Sequence, residues 1–222
     1  MPPTPIPNPS RVERARQGDL DSLKALELVP VADRTPEDCA AIAVGHTALT
    51  RSAVEKLGRD LGQKPELLQD RNVLAQLFGY ASDPLSAEAA LPILARIDDA
   101  LGPDMLYEIW KHDRHPSSRS LAEDLLSTRA VQKRASKELE LVLDLEREER
   151  CDKVQKLLEK AGEKVDRRVL PRLKVLEAED GCGEKKQEDC FPCLRSTDLL
   201  EKTRAQAEKR KKQPEKWEIR RR

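Results

Sequence analysis

The sequence predicts an all-α fold, and three observations carry that expectation. Aromatic residues make up only 3% of the 222 residues, so the core must be thin and filled by aliphatic side chains. Charged residues reach 37%, against roughly 25% in an average domain, which suits helices with one wide solvated face. Helix starts also recur, as in Ser10-Arg11-Val12-Glu13, Thr35-Pro36-Glu37-Asp38 and Asp83-Pro84, where a capping oxygen precedes proline or acidic residues in the first turn. No segment alternates apolar and polar long enough to read as a strand. A sandwich or barrel would need more β-branched and aromatic residues.

Taken in order, residues 1–9 are proline-rich, with prolines at 2, 3, 5, 7 and 9. Prolines at this density predict a disordered, extended arm, either a linker or a ligand for an SH3-like groove. Ser10 opens a first helix that Gly18 stops. Asp19 caps a second helix carrying Leu20, Leu23, Leu26 and Leu28, ended by Pro30. Thr35 begins a third, read as closing at Gly45, and Thr50 caps a fourth that ends at Gly62. Pro65 starts another helix, with a break near Asp70. A helix from Leu85 to about Leu101 contains Pro92, which predicts a kink or a join. A short helix with Met105, Leu106, Ile109 and Trp110 leads into a polar loop at 112–117. Helices are expected near 118–127, 130–147, 149–162 and 166–179, the last with Val169, Leu170, Leu173 and Leu176 at the helical period.

Glu88 to Ile97 and Arg167 to Leu176 share a Leu-Pro pattern, with Pro92 and Pro171 separated by about two repeats of roughly 40 residues. At these segments the chain resembles HEAT-like helical repeat proteins. The resemblance implies an α-solenoid; the alternative is an irregular stack of antiparallel helical hairpins. The stretch from Leu121-Ala122-Glu123-Asp124-Leu125-Leu126 to Cys190-Phe191-Pro192-Cys193 is similar to C-terminal helical modules of large bacterial signalling proteins, some of them protein kinases. That similarity implies no activity. The chain carries no kinase glycine-rich loop, catalytic-loop His-Arg-Asp or Asp-Phe-Gly.

The sulfur chemistry is concentrated late in the chain. Cys182, Cys190 and Cys193 lie in one irregular segment, 181–195, and Cys151 begins an apolar stripe with Val154, Leu157, Leu158 and Ala161. Four thiolates satisfy a closed structural zinc site, and four cysteines equally allow three disulfide pairings. Redox exchange at Cys190-Phe191-Pro192-Cys193 would need a βα context that the pattern lacks. Cys39 falls on an apolar stripe and reads as inert core.

Nothing else presents a catalytic arrangement. His112, Asp113 and His115 read as a solvated loop, and His46 has no acidic or cysteine neighbour in sequence. Asp98-Asp99 and Glu148-Glu149 lie on charged faces, and adjacent helical residues do not face each other. Trp110 reads as core, whereas Trp217 stands among charges.

The chain has zero formal net charge. Ten basic and three acidic residues fall between Lys202 and Arg222, a balance of +7, so residues 1–201 carry −7. The expected organisation is the arm at 1–9, a helical domain at 10–201 with a cysteine staple at 181–195, and a basic tail at 202–222. No run of 18 apolar residues exists to span a membrane, and no basic-then-apolar leader is present. A cytoplasmic protein is expected on that pattern, or an extracytoplasmic one if the cysteines are disulfide-bonded. The expected function is a non-catalytic protein-binding scaffold or adaptor, with no cofactor or with one structural zinc at Cys151, Cys182, Cys190 and Cys193. The alternative is nucleic-acid binding through residues 209–222.

Overall fold

Local capping decides where the first helices begin. In α1 (Arg11–Arg16) the Ser10 hydroxyl accepts from the Glu13 backbone N–H while Glu13 accepts from that of Ser10. Asp19 caps α2 (Leu20–Glu27). Thr35 and Asp38 form the reciprocal box that opens α3 (Pro36–Gln63), with Pro36 in its first turn. Asp70 caps α4 (Arg71–Ser82) after a 3₁₀ turn at Pro65–Gln69. Each device satisfies backbone donors that the first turn leaves unpaired.

The computed structural model describes residues 9–210. These hold twelve α-helices and no named strand, apart from an isolated bridge between Cys182 and Glu188. The described residues therefore form an all-α protein. The remaining helices are α5 (Ala87–Leu94), α6 (Leu101–His112), α7 (Pro116–Ser127), α8 (Arg129–Gln132), α9 (Lys137–Arg147), α10 (Cys151–Glu159), α11 (Leu170–Leu176) and α12 (Leu199–Lys209). The described chain divides into two compact units, one comprising 9–93 with 109–122 and the other 94–108 with 123–210.

In the first unit, α1 and α2 pack on α3. Ala15, Leu23, Leu26 and Ala41 form a buried cluster, with Val12 and Ile42 against it. Here the structure departs from the sequence reading. α3 is one helix of 28 residues and runs through both Gly45 and Thr50. Gly45 is a contact point rather than a stop. A Cβ at this position would overlap the Ala15 carbonyl oxygen and lie 2.6 Å from Leu23 Cδ2. Only the missing side chain lets α1 approach so closely.

This predicts opposite signs for two equivalent changes in one helix. Gly45→Ala forces α1 away and lowers stability by about 1–3 kcal/mol, the usual overpacking cost. Gly62→Ala meets nothing within 4 Å and gains about 0.5–1 kcal/mol of helix propensity. Urea unfolding of the two variants checks both signs.

In the second unit, α12 packs against α10 and α11, and α9 against α10. α9 buries Leu139, Leu141, Val142, Leu143 and Leu145. The expected single helix at 130–147 is broken, because the Ser136 hydroxyl accepts from the Leu139 N–H and restarts the helix as α9. The expected tail boundary at 202 also falls inside α12, whose Leu200, Thr203 and Ala207 are buried. Arg204 pairs with Glu177 and Arg210 with Glu138 (3.1 Å).

The two Leu-Pro segments do not occupy equivalent positions. Pro92 lies inside α5, which ends two residues later. Pro171 lies in the first turn of α11, after a 3₁₀ turn at Arg167–Val169. No helix among the described residues is long and apolar enough to cross a membrane.

Candidate functional site

The four clustered cysteines pair as two disulfides. Cys151, at the first position of α10, bonds Cys193 in the 3₁₀ turn Pro192–Leu194, with S–S 2.03 Å and Cα–Cα 6.0 Å. Cys182 bonds Cys190, with Cα–Cα 5.1 Å. The short loop nests inside the long one. Of the two readings left open for Cys151, Cys182, Cys190 and Cys193, this geometry is that of the disulfides, since sulfurs bonded in pairs are not the thiolates that a tetrahedral zinc site requires. The described residues also gather no group of three or more potential ligands.

The inner loop is shaped by its backbone. Gly181 (φ 110°), Gly183 (φ 75°) and Lys186 (φ 54°) take left-handed conformations that glycine adopts without steric cost. Cys182 and Glu188 exchange both backbone hydrogen bonds. Arg195 then ties the segment to α11. Its Nε donates to Asp189 Oδ2 at 2.7 Å, and its other guanidinium nitrogens donate to the Leu176 and Ala178 carbonyls at the end of that helix. The Arg195 hydrogen bonds hold the Asp189 carboxyl below its ordinary range. Arg172 closes α9 in the same way, donating to the Leu145 and Glu148 carbonyls.

A second polar cluster is internal to this unit. Arg168 donates to Asp104 Oδ1 at 2.7 Å and to Asp166 Oδ2 at 2.8 Å. Ser136 donates to Asp104 at 3.0 Å. Asp166 caps the 3₁₀ turn that precedes α11, and Ser136 caps α9, so the cluster joins α6 to the starts of two other elements. Burial raises the Asp104 carboxyl's pKa, against the pull of Arg168. Burial opposes the Arg168 charge, but hydrogen bonding and attraction to the two aspartates outweigh it, so the guanidinium stays charged. Burial likewise raises Tyr107, whose ring lies 5.8 Å from the Arg168 guanidinium. Each member is consumed by the others, so the cluster is a structural hub.

The surface offers a different arrangement along α9. A groove of about 400 Å³ lies between α9 and α10. From α9 it is lined by Asp144 and Arg147, with Glu148 just beyond the helix; from α10 by Lys153, Lys156 and Leu157, with Lys160 at the helix end. A second depression of about 210 Å³ continues it toward α8, sharing Asp144 and Arg147 and adding Arg129, Lys133, Glu140 and Leu143. On α9, Glu140 and Asp144 lie four residues apart and share one face, and Glu148 follows at the helix end. On α10, Lys153 and Lys156 lie three residues apart, and Lys160 follows four residues later at the helix end. Burial and the neighbouring Glu140 raise the Asp144 carboxyl's pKa. Backbone and lysine contacts lower that of Glu148, despite its partial burial. Nothing in the sequence marks the placement of these lysines opposite α9.

The remaining candidates resolve individually. Cys39 is exposed and free, not core. It sits on the outer side of α3, and the helix turns Ala41 inward instead. His46 does have an acidic neighbour, since its Nε2 lies 2.6 Å from Glu27 Oε1, 19 residues away in sequence and on the surface. Trp110 is half-buried, with the Lys111 ammonium 3.8 Å from its ring centroid. Asp98 pairs with Arg134 at 3.1 Å, and Asp99 accepts from the Leu101 N–H. The Asp113 carboxylate accepts from the His115 backbone N–H, as befits a loop turn. The proline arm at 1–8, the basic residues 211–222 and Trp217 lie outside the described residues. No protein-family model, curated protein or solved structure matches the chain.

Proposed function

We propose that this protein is a non-catalytic protein-binding module that works in an oxidising compartment and docks a partner in the groove along α9 and α10. The carrying observation is the groove itself, a charged depression lined in part by Leu157. Specific docking needs a shaped, partly apolar surface with a charged rim. The two nested disulfides support the compartment, since such bonds persist where thiols are not kept reduced. The saturation of the Asp104–Arg168 hub supports a structural rather than chemical use of the buried polar groups.

A peptide-display selection on the oxidised full-length chain tests this reading. The control is the double variant Lys156→Glu/Lys160→Glu, whose two lysines form no ion pair among the described residues and whose reversal leaves the fold intact. Peptide families that bind the parent and fail on the variant are expected. No enrichment, or enrichment equal on both proteins, overturns the reading.

A further inference from the structure

We infer that the groove receives an acidic peptide segment carrying an apolar residue, an inference that rests on the protein-binding reading above. Charge complementarity commits the occupant. Of the three lining carboxylates, Glu148 is already engaged, by Lys153 at 3.4 Å and Arg150 at 3.9 Å. On the two flanks, Arg129, Lys133, Lys156 and Lys160 form no ion pair among the described residues. The uncompensated charge along the groove is therefore positive, on a body whose 201 residues carry −7. A ligand that answers it must be acidic.

The same geometry selects a peptide over a nucleic-acid strand. The α9 row of Glu140, Asp144 and Glu148 runs between the cations contributed by α8 and those contributed by α10. A phosphate backbone crossing that row meets like charge at Glu140 and Asp144. A peptide can set carboxylates against the flanking lysines and arginine and lay an uncharged side chain across the row. Leu157, half-buried, supplies the apolar surface for that side chain.

The test is fluorescence anisotropy of the oxidised full-length chain with a labelled peptide of repeated Glu-Glu-Leu. The parallel arms are a Lys-Lys-Leu peptide and a single-stranded oligothymidylate. The acidic peptide is expected to bind, to weaken as salt is raised, and to lose at least about tenfold in affinity in Lys156→Glu/Lys160→Glu. The basic residues 211–222 are untouched in that variant, so affinity that survives the reversal belongs to them and overturns the inference. Stronger binding of the lysine peptide or of the oligothymidylate also overturns it. If the display selection yields groove-dependent peptides that are not acidic, this inference falls while the protein-binding reading stands. If it yields none, both fall.

Discussion

Replacing Cys151 and Cys193 together with serine is expected to lower the unfolding free energy by about 4 kcal/mol, and replacing Cys182 and Cys190 by about 2.5 kcal/mol. The ordering follows from loop length. The outer bond spans 42 residues and the inner one 8, and a cross-link removes more freedom from the unfolded chain when the loop it closes is longer. The outer bond also anchors the first turn of α10, the helix that carries Lys156 toward the groove. Losing it therefore weakens ligand binding as well as stability, while the inner pair lies in an exposed loop and affects stability alone. Urea unfolding of both double variants and anisotropy with the acidic peptide separate the two effects. Equal losses from the two pairs would refute the loop-length account. An intact mass that reductant leaves unchanged would show four free thiols and remove the disulfides altogether.

What the sequence disclosed and what it withheld divide along the range of the interactions involved. Ser10, Asp19, and Thr35 with Pro36 could be placed at helix starts because a cap acts within three residues of itself. Gly45 could not be placed, because its role depends on the Ala15 carbonyl of another helix, 30 residues earlier. Read locally, a glycine in a helical pattern is a stop; buried against a neighbouring backbone, it is a seat. The shared Leu-Pro pattern leaves helix position open for the same reason. Proline is tolerated both inside α5 and in the first turn of α11, and the letters around it do not say which. The cysteine cluster was legible as a clasp but not as a pairing, since all three pairings were open until Cys151 and Cys193 met. The basic row on α10 gave no signal in the sequence, where nothing marks what a charged helical face will meet. It becomes a groove through α9, and α9 exists as a separate helix because Ser136 restarts it.

Arg168→Leu is the other change with a large expected effect, about 3–5 kcal/mol of lost stability. Asp104, Asp166 and Arg168 are only 21%, 23% and 15% exposed, so removing the guanidinium leaves two carboxylates short of both solvent and partner. Asp166 keeps the Arg168 backbone N–H, which a leucine at that position still supplies. Asp104 keeps only the Ser136 hydroxyl, so most of the loss falls on it. Two consequences distinguish this account from a simple loss of packing. Adding Asp104→Asn to Arg168→Leu removes the stranded charge and restores a large part of the stability, although each change alone is destabilising. The deficit is also pH-dependent, with a definite sign. Burial already raises the Asp104 carboxyl's pKa, and Arg168 is the principal group opposing that rise. Without the arginine the folded-state value climbs further above the unfolded one, so the folded variant binds a proton that its unfolded chain does not. Its stability relative to the parent therefore improves as pH falls through the raised folded-state value toward the ordinary value of 3.8. Urea unfolding of the parent, the single variants and the double variant at about pH 7 and about pH 5 is expected to show the gap narrowing on acidification. A gap that is constant with pH, together with no rescue by asparagine, would mean that the hub contributes shape rather than charge.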